Sequence, residues 1–178
     1  MTAPDAPPPP TSAAPVPAGR PRPVLAYLLA MAVIALDQLS KAWIVHGLHF
    51  VEGSTLPLFG PLRLTFVYNQ GISFGLLQGT GLGRWLLAVF SAVVTVALIV
   101  WARRAGRLWL TLGIGLVMGG AVGNLIDRVL IGQVIDFIDV SAIGFFPWVF
   151  NIADSAINVG VVILLIDQLF TPDRRPSA

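Results

Sequence analysis

Asn151, Asp154 and Asn158 recur at i, i+3 and i+7 in FNIADSAINVGVVILLI (150–166), a stretch otherwise apolar enough to be most of a membrane span. On a helix that spacing places all three on one face. No basic residue lies within a turn of Asp154. A carboxylate so buried must neutralise or share a proton with a second carboxylate, and an ionisable group at membrane depth reads as functional by default. VIDFIDV (134–140) offers two partners, Asp136 and Asp139. In an extended chain residues three apart point to opposite faces, so one of the two looks toward Asp154, and periodicity does not say which. Two carboxyl groups at the end of a water-poor pocket suit peptide hydrolysis. Held close, they cannot both ionise, so one serves as acid and the other as base, with no metal or cofactor required.

Other nucleophile and metal schemes fit less well. Ser40 precedes Lys41, the only lysine, but adjacent helical residues do not face each other, and Asp37 at i−4 is better placed to hold the ammonium. His46, His49 and Glu52 carry no metal-binding spacing such as His-Glu-x-x-His. The chain has no cysteine, which removes thiol chemistry and disulfides.

The elements that must position these groups are membrane helices. Of 178 residues 56% are hydrophobic and 11% charged, with a mean hydropathy of +0.81; a soluble domain carries about a quarter charged residues. Four stretches are long enough to cross a hydrocarbon core of about 20 helical residues: 24–45, 85–101, 108–126 and 148–170. Residues 1–23, with nine prolines, are expected to be a disordered or polyproline-type tail, and 171–178 a short basic tail. Arg20, Arg22, Arg103, Arg104, Arg107, Arg174 and Arg175 all fall on one side of a four-span chain, which makes that side, and both termini, cytoplasmic. The surplus of eleven basic over nine acidic residues is too small to suggest nucleic-acid binding.

The polar residues of the spans then gather at the outer surface: Asp37 and Lys41 in the first, Asn124 and Asp127 at the end of the third, and the Asn151–Asn158 face in the fourth. Asp37–Lys41 reads as an ion pair, and Asp127 beside Arg128 as a scaffold pair. Gly115, Gly119 and Gly123 allow close approach of another helix. Between the first two spans, LRLTFVYN alternates Leu62, Leu64, Phe66 and Tyr68 with Arg63, Thr65 and Val67, the pattern of a half-buried strand. The expected fold is an all-α membrane protein: a four-helix bundle with a small extracytoplasmic sheet on the outer surface. Two rival functions are a proton-coupled transporter relaying through Asp37, Asp127 and Asp154, and a non-catalytic scaffold. A relay needs polar groups at several depths, and the cytoplasmic halves of the spans have almost none.

Five segments taken together resemble the bacterial lipoprotein signal peptidases (signal peptidase II): DQLSK (37–41), NQGISFG (69–75), GGAVGNLIDR (119–128), VIDF (134–137) and FNIAD (150–154). The resemblance runs from about 24 to 170. It implies an aspartyl endopeptidase of the inner membrane that cuts the signal peptide from a prolipoprotein just before its diacylglyceryl-modified cysteine. It also implies that Asp136 and Asp154 form the dyad, that Asn69, Asn124, Arg128 and Asn151 line or support the pocket, and that Asp37, Lys41 and Asp127 support it. The expected partners are lipid-modified prolipoproteins and membrane lipids, the expected state is a monomer, and the site is expected near the outer leaflet.

Overall fold

The computed structural model describes residues 21–71, 82–144 and 148–170. The N-terminal tail up to residue 20, the C-terminal tail, the FFP of 145–147 and most of the NQGISFG segment lie outside the described residues.

Four helices are long and apolar enough to cross a membrane. Helix α1 (Pro23–Ala42) starts with proline at its first position, where the missing N–H costs nothing, and widens into a π-type turn over Trp43–Gly47. Helix α2 spans Leu82–Ala102, α3 Leu108–Leu130 and α4 Ile152–Phe170. The third helix runs a turn beyond residue 126, so Asp127 and Arg128 are helical. It stops where Gly132 takes φ +87°, with the Ile131 and Gly132 N–H groups both donating to the Asp127 carbonyl. Arg84 of α2 closes the same end by donating to the Val129 carbonyl at 2.8 Å.

Helix α3 is the central element. Two thirds of its span is buried (67%), against 22% in each of the other three, and it packs on all of them. Its glycines explain how. A Cβ on Gly119 would lie 2.8 Å from the Ala30 carbonyl of α1, and one on Gly115 2.8 Å from that of Ala26. On the adjoining face a Cβ on Gly113 would crowd Leu164, and one on Gly120 would collide with the Ala153 carbonyl of α4. In lipid no hydrophobic force draws helices together, so backbone approach of this kind supplies the packing. The outward faces carry Leu28, Met31, Val89, Phe90, Leu165 and many like them, all exposed, as a lipid-facing surface requires.

At one end of the bundle, strands β1 (Thr55–Phe59), β2 (Leu62–Asn69), β3 (Val134–Asp139) and β4 (Val149–Phe150) form an antiparallel sheet in that order. The alternation in 62–68 is realised as a strand with Leu64 and Phe66 buried against Ile44 and Phe137. Helix α4 begins at Ile152 rather than 148 because Phe150 and Val149 pair with Ile138 and Asp139.

Candidate active site

Asp136 comes to the bundle through the sheet. Strand β2 holds one extra residue between Leu64 and Val67 where it faces Ile138 and Asp136, a bulge that sets the register. Asp136 is 2% exposed. Its two oxygens accept from Asn69 Nδ2 (2.8 Å) and Asn151 Nδ2 (2.7 Å). Burial pushes its carboxyl up to about 7; the amide donors of Asn69 and Asn151 oppose that shift, while the charge of Asp154 adds to it. Asn69 is itself fixed by a local turn, its Oδ1 accepting from the Gly71 N–H at 2.7 Å, with Gly71 at φ +81°.

Asp154 sits in the first turn of α4, three residues after Asn151. The two form a reciprocal cap: the Asp154 N–H donates to Asn151 Oδ1 (2.8 Å), and the Asn151 N–H donates to Asp154 Oδ2 (3.3 Å). Asn124 Nδ2 donates to the other Asp154 oxygen at 2.8 Å. The carboxylate with no basic residue near it in sequence is thus held by hydrogen bonds, with Arg128 of α3 within coulombic range. Asn-x-x-Asp ahead of an apolar run is a helix-start signature, a signal in the sequence that hydropathy alone passes over. Asn151 has no exposed surface and also donates to Asn124 Oδ1 and the Ile135 carbonyl, both at 3.2 Å. Asn151 therefore ties α3, β3 and α4 together and donates to both carboxylates, to Asp136 through its side-chain amide and to Asp154 through its backbone N–H. No hydrogen bond among the described residues joins the two carboxylates directly.

Beneath this pair lies a charged cluster. Lys41 Nζ contacts Asp37 (2.7 Å), Asp127 (2.8 Å) and Asn124 Oδ1 (3.4 Å). The expected Asp127–Arg128 pair is not formed, since neighbours on a helix diverge by about 100°. Asp127 turns to Lys41 and accepts from the Ile135 N–H (3.1 Å). Asp37 reaches α4 by accepting from the Ala153 N–H (2.9 Å). Gln38, which sequence reasoning passed over, donates to Asp37, Asp127 and the Gly123 carbonyl. Arg128 makes a long contact to the Asn124 carbonyl (3.4 Å), lies against Gly71, and is within coulombic range of Asp154, Asp127 and Asp136. The structure thus brings Asp37, Lys41, Asn69, Asn124, Asp127, Arg128, Asp136, Asn151 and Asp154 to one end of the bundle.

Asp139 does not join them. It pairs with Arg63 (2.9 Å) and accepts from Thr65 Oγ1 (2.7 Å) and the Ser141 N–H (2.8 Å). Burial works against its charge, but the Thr65 and Ser141 hydrogen bonds and Arg63 outweigh it and hold the carboxyl at about 2. A depressed carboxyl stabilises the fold above its unfolded value of roughly 3.9 and loses that contribution as pH falls toward 2. Asp139→Asn is expected to cost about 1–3 kcal/mol at pH 7 and to flatten the loss of stability between about pH 4 and 2. Thermal unfolding across that pH range checks it; an unchanged acid slope would refute the assignment.

A groove of about 640 Å³, lined by Asn69, Trp148, Phe150, Asp154, Ser155 and Asn158 among others, opens beside the pair. Fold and site together define a class: a polytopic membrane protein with two carboxylates bridged by an asparagine at the sheet end of its bundle. The family model described as Signal peptidase (SPase) II matches residues 29–170. The lipoprotein signal peptidase of Caulobacter vibrioides is 53% identical over 154 residues, 86% of this chain and 91% of that protein. That of Pseudomonas syringae pv. tomato is 42% identical, over 81% of this chain and 86% of its own length. A solved bacterial membrane enzyme superimposes with a TM-score of 0.72 at 29% identity, covering 86% of this chain and 94% of its own. The chain belongs to the signal peptidase II family, an aspartic peptidase family whose function is removal of signal peptides from prolipoproteins.

Proposed function

We propose that Asp136 and Asp154 cleave the prolipoprotein just before its diacylglyceryl-modified cysteine, sharing one proton between them. The observation that carries this is their convergence from β3 and α4 on Asn151, whose side-chain amide donates to Asp136 and whose backbone N–H donates to Asp154, beside a groove that Asp154 lines. Asp136, pushed up to about 7, holds the shared proton. As a water attacks the scissile carbonyl carbon, Asp154 takes a proton from that water and Asp136 gives its own to the carbonyl oxygen. When the tetrahedral intermediate collapses, Asp136 recovers its proton and Asp154 passes the water's proton to the leaving amine. The C–N bond breaks, and the pair is ready again. Asn69 and Asn151 hold Asp136, while Asn124 and the Asn151 backbone hold Asp154. Arg128 supplies positive charge beside the pair, and Asp37, Lys41 and Asp127 lock the helices that carry it.

The arginine distribution supports a protein with both termini in the cytoplasm and the sheet end at the outer leaflet of the inner membrane. There the acyl chains of the substrate would anchor its cysteine at the level of Asp154. We assign the enzyme as a monomer acting on lipid-modified prolipoproteins within the lipid phase. A relay across the bilayer finds little to run through: toward the other end the interior is the apolar cluster of Ala26, Ala30, Leu98, Ile114 and Met118, and the buried carboxylate there, Asp167, is paired with Arg107 at 2.6 Å.

Cleavage of a purified diacylglyceryl-modified precursor, with mass analysis of the product's new N-terminus, tests the reading. A new N-terminus at any residue other than the lipidated cysteine would overturn the cleavage position. The acid role of Asp136 also sets a pH dependence. Above about 7 the shared proton leaves, so kcat/KM is expected to fall about tenfold per pH unit on the alkaline side. A profile flat from pH 6 to 9 would remove Asp136 as the acid.

A further inference from the structure

Asn158 shares the polar face of α4 with Asn151 and Asp154, yet the reaction above does not use it. It lies in the seventh position of α4, about 9–10 Å along the helix from its start. It is exposed and followed by exposed Val159 and Val162. Its Nδ2 donates to the Asp154 carbonyl at 2.9 Å. Its Oδ1 and second N–H have no partner among the described residues. A carboxamide left half-paired beside lipid is costly, and here it lines the same groove as Asp154.

The substrate has the complementary need. A signal peptide crossing lipid satisfies its backbone by helical hydrogen bonds. To be cut, the peptide around the scissile bond must unwind so that its carbonyl is open to attack. Unwinding in a water-poor groove leaves N–H and C=O groups with no partner, at several kcal/mol each. Asn158 stands four residues beyond Asp154, about 6 Å deeper along the axis, roughly two residues of extended chain from the scissile bond.

We infer that Asn158 is a substrate-positioning residue: its Oδ1 accepts a backbone N–H of the unwound signal peptide, within the three residues before the cleavage site. This rests on the proposed cleavage between Asp136 and Asp154. The contact is to backbone, so it accepts varied signal sequences while demanding an extended conformation. It also explains why a polar side chain stands there with its Oδ1 unpaired among the described residues.

The test uses the full-length enzyme in detergent and lipidated precursor peptides in which the backbone amides before the scissile bond are replaced, one at a time, by esters that lack the N–H. For the wild type, one of these esters is expected to lower kcat/KM about tenfold, mainly through KM. Asn158→Leu is expected to lose about tenfold on the all-amide peptide, to lose nothing further with that ester, and to keep the wild-type thermal midpoint. Asn158→Thr, which retains an acceptor oxygen, is expected to recover most of the loss. The inference is overturned if no ester costs the wild type more than twofold, or if the ester and Asn158→Leu penalties multiply independently. The ester series on the wild type decides the matter even if Asn158→Leu does not fold. Failure of the wild type to cut the all-amide peptide would instead bring down the cleavage reading itself, together with this inference.

Discussion

Asp136→Asn and Asp154→Asn are each expected to lower kcat for a lipidated precursor by about 10³-fold or more, while Asp139→Asn stays within about threefold of wild type. In the proposed reaction the first two lose the proton transfers on which both of its halves depend. An asparagine at 154 keeps one acceptor oxygen, which can still receive the Asn151 N–H and preserve the helix cap, while the Asn124 amide loses its acceptor. A retained thermal midpoint then separates lost chemistry from a lost start of α4. At 136 the carbonyl oxygen of an asparagine still receives one of the two amide donors. The variant also loses a carboxyl whose raised value makes the native state less stable as pH rises through 4 to 7. Its thermal midpoint is therefore expected to decline less over that range than that of wild type. The measurement is single-turnover cleavage beside thermal unfolding for all three variants. Retained activity in either dyad variant would end the two-carboxylate mechanism. A dead Asp139→Asn with a normal midpoint would place the second carboxylate elsewhere than the geometry does.

The second large effect is on stability. Lys41→Met is expected to cost about 3–5 kcal/mol, because it leaves Asp37 and Asp127, 0% and 4% exposed, as two buried carboxylates without their common cation. For a chain of this size that corresponds to a fall of roughly 8–15 °C in thermal midpoint. Asp127→Asn is the milder change, about 1–2 kcal/mol, since Asp37 still holds the ammonium and an amide oxygen still accepts from the Ile135 N–H. Unfolding of the purified proteins in one detergent compares the two. A Lys41→Met midpoint within a degree or two of wild type would show that the cluster is not what locks α1, α3 and α4. Activity should fall with Lys41→Met even below its unfolding temperature, because Asn124, which holds Asp154, loses a neighbour and the Ala153 end of α4 loses part of its anchor.

Local patterns of the chain were enough for the frame. The apolar runs set the four helices, since a stretch that must satisfy its backbone in lipid has few alternatives. The alternation of 62–68 set a strand, and the i, i+4 spacing of Asp37 and Lys41 set an ion pair that the structure contains. The five matching segments, each a short stretch of chain, pointed to the family to which the chain belongs. What the frame brings together was not local. Residues 136 and 139 are equivalent to any periodicity argument. The bulged register of β2 on β3 turns Asp139 to Arg63 and Asp136 to Asn69 and Asn151. Asp127 looked paired with its neighbour Arg128, yet its partner lies 86 residues earlier, on a helix that only the glycine faces of α3 allow so near. Asp154 looked unsupported because its donors come from α3 and from a cap hidden inside an apolar run. Short-range periodicity and hydropathy decide which elements form. Register, close packing and the hydrogen bonds between elements exist only once the chain is folded, and on these depends which carboxylates come to share Asn151.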